Sequence, residues 1–287
     1  MDNNTNHDSV GSLRELLKAH GFRFSKSMGQ NFLIDVNIPE KIARQSGIDK
    51  SCGVLEVGPG VGALTHELSK VAGFVMALEL DKRLIPILKS RFVTCENVSI
   101  IQGDILKLEI KKYIEDMMPG LSHHVCANLP YNITTPAITV LIESGLFESI
   151  TVMVQKEVAL RICAKPGSPE YGAFTVFANY YTMPEILFDV SPTCFTPRPK
   201  VTSAVVRMSV KKECALSAED EKTFFKVVRA AFGQRRKTLV NALYAVFGES
   251  LSKDEISKIV AGCNLDINVR GEVLGVDEFI NLSSYFR

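Results

Sequence analysis

The chain has 287 residues, 46% of them hydrophobic and 23% charged, with a formal charge of +1; this balance predicts a soluble globular protein, one large domain or a domain with a smaller companion. No apolar run approaches the roughly 18 residues of a membrane span, and the opening MDNNTNHDSV resembles neither a signal peptide nor an Arg-rich transit peptide, so no membrane association and a cytoplasmic location are expected. The seven cysteines are scattered without a CxxC pair, which argues against a zinc site or a disulfide framework and for a reducing compartment; no metal is expected.

Apolar, β-branched runs recur at a regular step: GVLEVG (53–58), FVMALEL (74–80), VSIIQG (98–103) and HHVCAN (123–128) end 22, 23 and 25 residues apart. Segments of helical period lie between them, such as ALTHELSKV, KRLIPILKSRF and IKKYIEDMM. A fifth run, ITVMVQ (150–155), follows another helical segment. Strand and helix alternating in this way predict βαβ units and a parallel sheet, with Val- and Ile-rich strands buried on both faces. After residue 155 come helical KEVALRICA, a loop KPGSPEYG (165–172) and helical AFTVFANYYT. PEILFDV and SAVVRMSV read as an antiparallel pair at the sheet edge, joined by the Pro-rich SPTCFTPRPKVT. Beyond about residue 211 the strand signals stop. AEDEKTFFKVVRAAFGQ, KTLVNALYAVFG and KDEISKIVAGC are amphipathic helical runs. The fold class is therefore α/β, with domains at 1–210 and 211–287. The second is a small α-helical domain.

Open α/β sheets bind ligands outside the carboxyl ends of their strands. Four suggestive residue groups fall there. The first strand runs into EVGPGVGALT, where Gly58 and Gly60 let the backbone approach a ligand and a helix N-terminus follows. The second ends at Glu79, placed to hold ribose hydroxyls, or simply an exposed strand end. The third leads to Asp104, an acceptor for an adenine amine or a helix N-cap. The fourth ends at Asn128, opening NLPYN. GPGVGA also satisfies a dinucleotide fingerprint, so the glycine loop and the acid do not by themselves choose a cofactor. A nicotinamide oxidoreductase, however, has no use for NLPY.

Glycine loop, acid, acid and Asn-x-Pro-aromatic form the layout of methyltransferases acting on planar exocyclic nitrogens. The motifs GQNFLID (29–35), EVGPGVGALT (56–65), LELD (78–81), GDIL (103–106), NLPYNITTPAI (128–138), PGSPEYG (166–172), FTPRPKVTSAV (195–205) and FGQRRKTLVNAL (232–243) stand in one order along the chain. In them the chain resembles the small-subunit ribosomal RNA adenine dimethyltransferase family over nearly all its length. The usual NLPYNIST reads NLPYNITT here.

The resemblance implies a Rossmann-like methyltransferase sheet, S-adenosylmethionine as methyl donor and adenine N6 as acceptor. N6 is neutral, but its lone pair is delocalised into the ring. A useful site accepts both N–H hydrogens and bends the nitrogen towards tetrahedral. Asn128 offers a side-chain carbonyl and Pro130 its backbone C=O. Tyr131 then stacks on the base, while Leu129 packs beneath the loop. Phe195 reads from its surroundings as a core phenylalanine; the resemblance makes it a second stacking residue. Asn31 and Leu33 are assigned to the cofactor on resemblance alone. Because the first methylation leaves N6 one hydrogen, one of the two acceptors must lose its partner and tolerate a methyl group, so the pocket beside Asn128 and Tyr131 is expected to be slightly roomy.

Residues 195–240 carry eleven Lys and Arg against four Asp and Glu, a local charge of +7 in a chain of +1. Such a block is either a solvated face or a site for a polyanion. Beside the resemblance, Arg198, Lys200, Arg235, Arg236 and Lys237 become RNA-phosphate contacts. The implied substrate is a pair of adjacent adenines in a hairpin loop near the 3′ end of small-subunit RNA, in a partly assembled particle, met by a monomer. The rival readings are the related large-subunit adenine dimethyltransferases and a non-catalytic RNA-binding assembly factor on the same fold.

Overall fold

A computed structural model of the protein describes residues 31–213, 215–234 and 236–286. In chain order the strands are β1 (Phe32–Leu33), β2 (Cys52–Val57), β3 (Phe74–Glu79), β4 (Val98–Gln102), β5 (Ser122–Asn128), β6 (Ser149–Gln155), β7 (Thr182–Val190), β8 (Phe195–Thr196) and β9 (Ser203–Val210). Seven of them form a sheet in the order β4-β3-β2-β5-β6-β9-β7. β4 to β6 pair in parallel across β3, β2 and β5, and β9 joins β6 antiparallel. The α/β Rossmann-like sheet and its antiparallel edge are thus present. The chain winds outward from β2 to β4, then returns to the other side of β2 for β5. The carboxyl ends of β2 and β5 therefore diverge around a crevice, the position where such sheets bind ligands.

Every residue of β2 is buried, which explains its unbroken apolar run. One core cluster joins Val54, Val75 and Cys126 of the sheet to Ile42, Leu64 and Leu68 of the helices Asn37–Gln45 and Ala63–Val71. A second gathers Phe32, Val61, Leu84, Ile87, Leu88 and Phe92. The helix Ala63–Val71 follows directly on the glycine loop, because Gly62 at φ +84° supplies a left-handed turn that other residues resist.

The chain divides into two compact units. One comprises the residues to Ala159 with Glu185–Val210; the other comprises Leu160–Pro184 and Lys211 onward. The boundary expected near 211 is therefore one of several crossings. Residues 160–184 join the helical unit because their aromatic side chains pack in its core. Val176 and Tyr180 cluster with Phe224, Leu243, Ile256 and Phe279. Tyr180 and Tyr181 donate to the two carboxylate oxygens of Glu221 at 2.9 and 3.1 Å, and Tyr171 donates to the Leu274 carbonyl at 2.7 Å. The helix Ala218–Gly233 is opened by Ser217, whose hydroxyl accepts from Asp220 N, and its first turn holds three acids that suit the helix dipole. No helix among the described residues is long and apolar enough to cross a membrane.

Candidate active site

A cavity of about 300 Å³ opens at the β2–β5 crevice. Asn31, Leu33, Gly58, Gly60, Glu79, Asp104, Asn128, Pro130 and Tyr131, separated by up to 100 positions in sequence, all line it.

The glycine loop is shaped by its backbone. Gly58 and Gly60 have φ of +70° and +61°. Gly58 N donates to Leu78 O at 2.9 Å, tying the loop to β3. A Cβ on Gly60 would lie 2.9 Å from the Phe32 ring. Glu79 holds the loop from the other side: its Oε2 accepts from Gly60 N at 3.1 Å and its Oε1 from Asp81 N at 2.8 Å. It is 6% exposed, so it is no exposed strand end. Burial raises its carboxyl above the usual range, and the two backbone donors oppose that rise. Each of its oxygens keeps a lone pair for a ligand hydroxyl. Asp104 caps the following turn, with Oδ1 accepting from Leu106 N at 3.0 Å, and still faces the cavity.

In the NLPY loop, Asn128 Nδ2 donates to the Asn31 carbonyl at 3.4 Å, a long bond that leaves the amide oxygen as the free acceptor. Leu129 is 1% exposed, as expected of a packing residue. The Pro130 carbonyl departs from its expected role. It accepts from Ile133 N at 3.2 Å and from Thr134 Oγ1 at 3.2 Å, so both lone pairs are used in turning the chain into the helix Thr134–Glu143. The carbonyl of Leu129 accepts no hydrogen bond among the described residues, and Leu129 lines the cavity. The Tyr131 hydroxyl lies 2.6 Å from Ser203 Oγ, and half-burial raises its pKa.

Phe195 also departs from its stacking role. It is 3% exposed, packs in the core with Leu33, Val190 and Val205, and is not among the residues lining the cavity. The cause is a two-stranded pairing of β1 with β8, in which Phe195 stands opposite Leu33. This agrees with the core reading of the residue. Arg198 and Lys200 are exposed on the loop after β8, outside the cavity. In the second unit Arg236 and Lys237 are exposed between the helices Ala218–Gly233 and Leu239–Phe247, and Arg235 lies outside the described residues.

Sequence reasoning passed over Glu56. It lines the cavity, is 1% exposed, and its Oε2 is buried without a hydrogen-bond partner. Burial pushes its carboxyl up to about 8, and the charge of Glu79 adds to the effect. Thr65 opposes this in part, although its Oγ1 makes no well-aligned hydrogen bond. The available signal was an acid inside the apolar run GVLEVG, a residue type almost never fully buried without a partner.

The family model for ribosomal RNA adenine dimethylase matches residues 21–282. The chain is 46% identical over 273 residues to ribosomal RNA small subunit methyltransferase A of Streptococcus gordonii, covering 94% of each chain. The crystal structure of a dimethyladenosine transferase from Plasmodium falciparum superposes with a TM-score of 0.77 at 27% identity, covering 89% of this chain and 97% of the other. The 23S rRNA methyltransferase ErmE shares the fold, with a TM-score of 0.68 at 23% identity over 88% of this chain and 98% of its own.

Proposed function

The chain belongs to the ribosomal RNA adenine dimethylase family, and on that premise we propose that its cavity transfers methyl groups from S-adenosylmethionine to N6 of two adjacent adenines in a hairpin loop near the 3′ end of small-subunit ribosomal RNA. The observation that carries the reading is the meeting of Asn128 with the glycine loop in one cavity. The small-subunit assignment is supported by a relative of that name at 46% identity, whereas the large-subunit enzyme shares the fold alone. The substrate is the RNA of a partly assembled subunit, met by a monomer in the cytoplasm.

The residues present fit the cofactor. Positive φ angles at Gly58 and Gly60 and the Phe32 ring beneath Gly60 make a cradle that a Cβ would fill. Glu79 accepts the ribose hydroxyls, Asp104 accepts from the adenine amine, and Asn31 and Leu33 close the cavity from the β1 side. When bound, S-adenosylmethionine supplies an electrophilic methyl carbon on a sulfonium.

Asn128 Oδ1 accepts one N6 hydrogen. The Leu129 carbonyl takes the second, since the Pro130 carbonyl is already occupied twice. Two preorganised acceptors pull the amine out of conjugation and direct its lone pair; by analogy with an oxyanion hole, one such partner is worth about 10²–10³ in rate. Tyr131 stacks on the base. Arg198, Lys200, Arg236 and Lys237 offer phosphate contacts, with Arg235 in the same basic run.

The test is transfer of labelled methyl from S-adenosylmethionine to small subunits lacking the modification, beside large subunits and the Asn128→Ala variant. The reading requires label in small-subunit RNA only, recovered as dimethyladenine and dependent on Asn128. Label that persists in Asn128→Ala at the wild-type rate would sink it.

A further inference from the structure

We propose that Glu56 makes the cavity selective for a cationic ligand: it holds a proton while the cavity is empty and releases it when a positive charge enters, so that cofactor binding is coupled to proton loss. The inference rests on the cavity being an S-adenosylmethionine site.

Among the described residues, three acids and no Lys, Arg or His line the cavity. Two of them are held by backbone donors. Glu79 accepts from two backbone N–H groups, and Asp104 accepts from Leu106 N with Lys107 Nζ at 3.9 Å. Glu56 has Thr65 alone to oppose its burial, and that does not offset it. Its Oε2 is buried and unpartnered, and a buried carboxylate with one unpaired oxygen and no counter-charge is strongly disfavoured.

The groups facing it deepen the problem. From β3 comes Glu79, an acid. From β5 comes Cys126, whose thiol burial pushes far up and keeps neutral. From the helix Ala63–Val71 comes Thr65, which opposes the rise by hydrogen bonding but carries no charge. No cation enters its electrostatic surroundings among the described residues. The resting form of Glu56 is therefore the neutral acid, in keeping with a carboxyl pushed up to about 8.

A cation arriving in the cavity reverses the balance, because an opposite charge at close range favours the carboxylate. The carboxyl O–H bond then breaks, the proton passes to buffer, and the carboxylate stays behind to face the ligand's charge. A neutral adenosine derivative brings no such charge and leaves the proton in place. Glu56 thus distinguishes ligands by charge rather than by shape.

The experiment is calorimetric titration of the full chain with S-adenosylmethionine at pH 6.5, in two buffers of different ionisation enthalpy, with neutral 5′-methylthioadenosine beside it. The expected result is release of close to one proton for the cofactor and none for methylthioadenosine. The cofactor Kd should fall by up to about tenfold per pH unit between pH 6 and 7, as one-proton linkage requires. Glu56→Gln should abolish the release and flatten the pH dependence. A buffer-independent heat in the wild type overturns the proposal whether or not the variant folds. So do equal proton counts for the two ligands, or a folded Glu56→Gln protein that still releases the proton. Absence of any cofactor binding overturns the reading of the cavity itself.

Discussion

The hydroxyls of Tyr131 and Ser203 lie 2.6 Å apart, joining the loop after β5 to the first residue of β9. Ser203 is fully buried and stands opposite Gln155 in the β6–β9 pairing, so it is a rigid post. Tyr131, which lines the cavity, is thereby held by its tip. The proposed stacking role needs a ring of fixed plane, and this bond supplies one.

Two losses should separate when this pair is cut. Tyr131→Phe and Ser203→Ala each remove the tether, worth about 1 kcal/mol, and should lower kcat/KM about fivefold. Tyr131→Ala also removes the ring, adding roughly 1–3 kcal/mol of stacking. Single-turnover methylation of the RNA measures both. Equal losses in Tyr131→Phe and Tyr131→Ala would show that the ring contributes nothing.

Gly60→Ala should cripple cofactor binding. The backbone there has φ +61°, which costs an L-residue about 1–2 kcal/mol, and the new Cβ would stand 2.9 Å from the Phe32 ring. Calorimetry should find the cofactor Kd raised at least tenfold in a protein whose circular dichroism is unchanged. Wild-type affinity would mean that the loop does not touch the ligand.

Phe195 separates a packing role from a stacking one. As a core residue it should cost about 3–5 kcal/mol when cut to alanine. Phe195→Leu keeps apolar bulk but loses the ring. It should methylate within about threefold of wild type, well inside the 1–3 kcal/mol that a lost base stack would cost. A much larger drop in kcat/KM, with thermal stability retained, would return Phe195 to the base.

Glu56 also predicts how stability depends on pH. Its folded pKa of about 8 lies above the ordinary 4.5, so the folded state holds a proton that the unfolded chain gives up. Its contribution is complete below pH 4.5 and is lost as pH rises through 8. Glu56→Gln cannot lose it. Without ligand, the variant and wild type should melt together near pH 4.5, and the variant should melt higher at pH 8.5. The gap is roughly 2–4 °C for each kcal/mol regained. A gap that narrows with rising pH would refute the assignment.

Arg236 and Lys237 are exposed, and a phosphate role shows in salt dependence. Arg236→Ala with Lys237→Ala should weaken RNA binding and reduce the slope of log K against log salt by about one per cation removed. Cofactor affinity should be unchanged. If both affinities fall together, the pair is holding the fold.

Much of this was legible in the sequence. The regular recurrence of GVLEVG, FVMALEL, VSIIQG and HHVCAN specified the parallel sheet, because two-sided burial writes itself as an unbroken apolar run. The glycines of GPGVG, Glu79, Asp104 and Asn128 fall at strand ends, where the topology converts sequence position into proximity. Periodicity and strand-end placement are local properties, so one chain states them by itself.

Four matters belonged to tertiary structure alone. The β1–β8 pairing spans two residues on each side, too short to leave a period, yet it sends Phe195 into the core. Residues 160–184 read as a continuation of the sheet domain until Tyr180 and Tyr181 meet Glu221, 41 and 40 positions onward. The Pro130 carbonyl is occupied because the chain turns back on itself at Ile133 and Thr134, a matter of backbone geometry that residue identity does not specify. Glu56 is an ordinary strand residue by position; only the packing of β3, β5 and the helix Ala63–Val71 around it removes water from its carboxyl and leaves Oε2 unpartnered. Burial and hydrogen-bond occupancy are set by neighbours distant along the chain, and those become neighbours only when it folds.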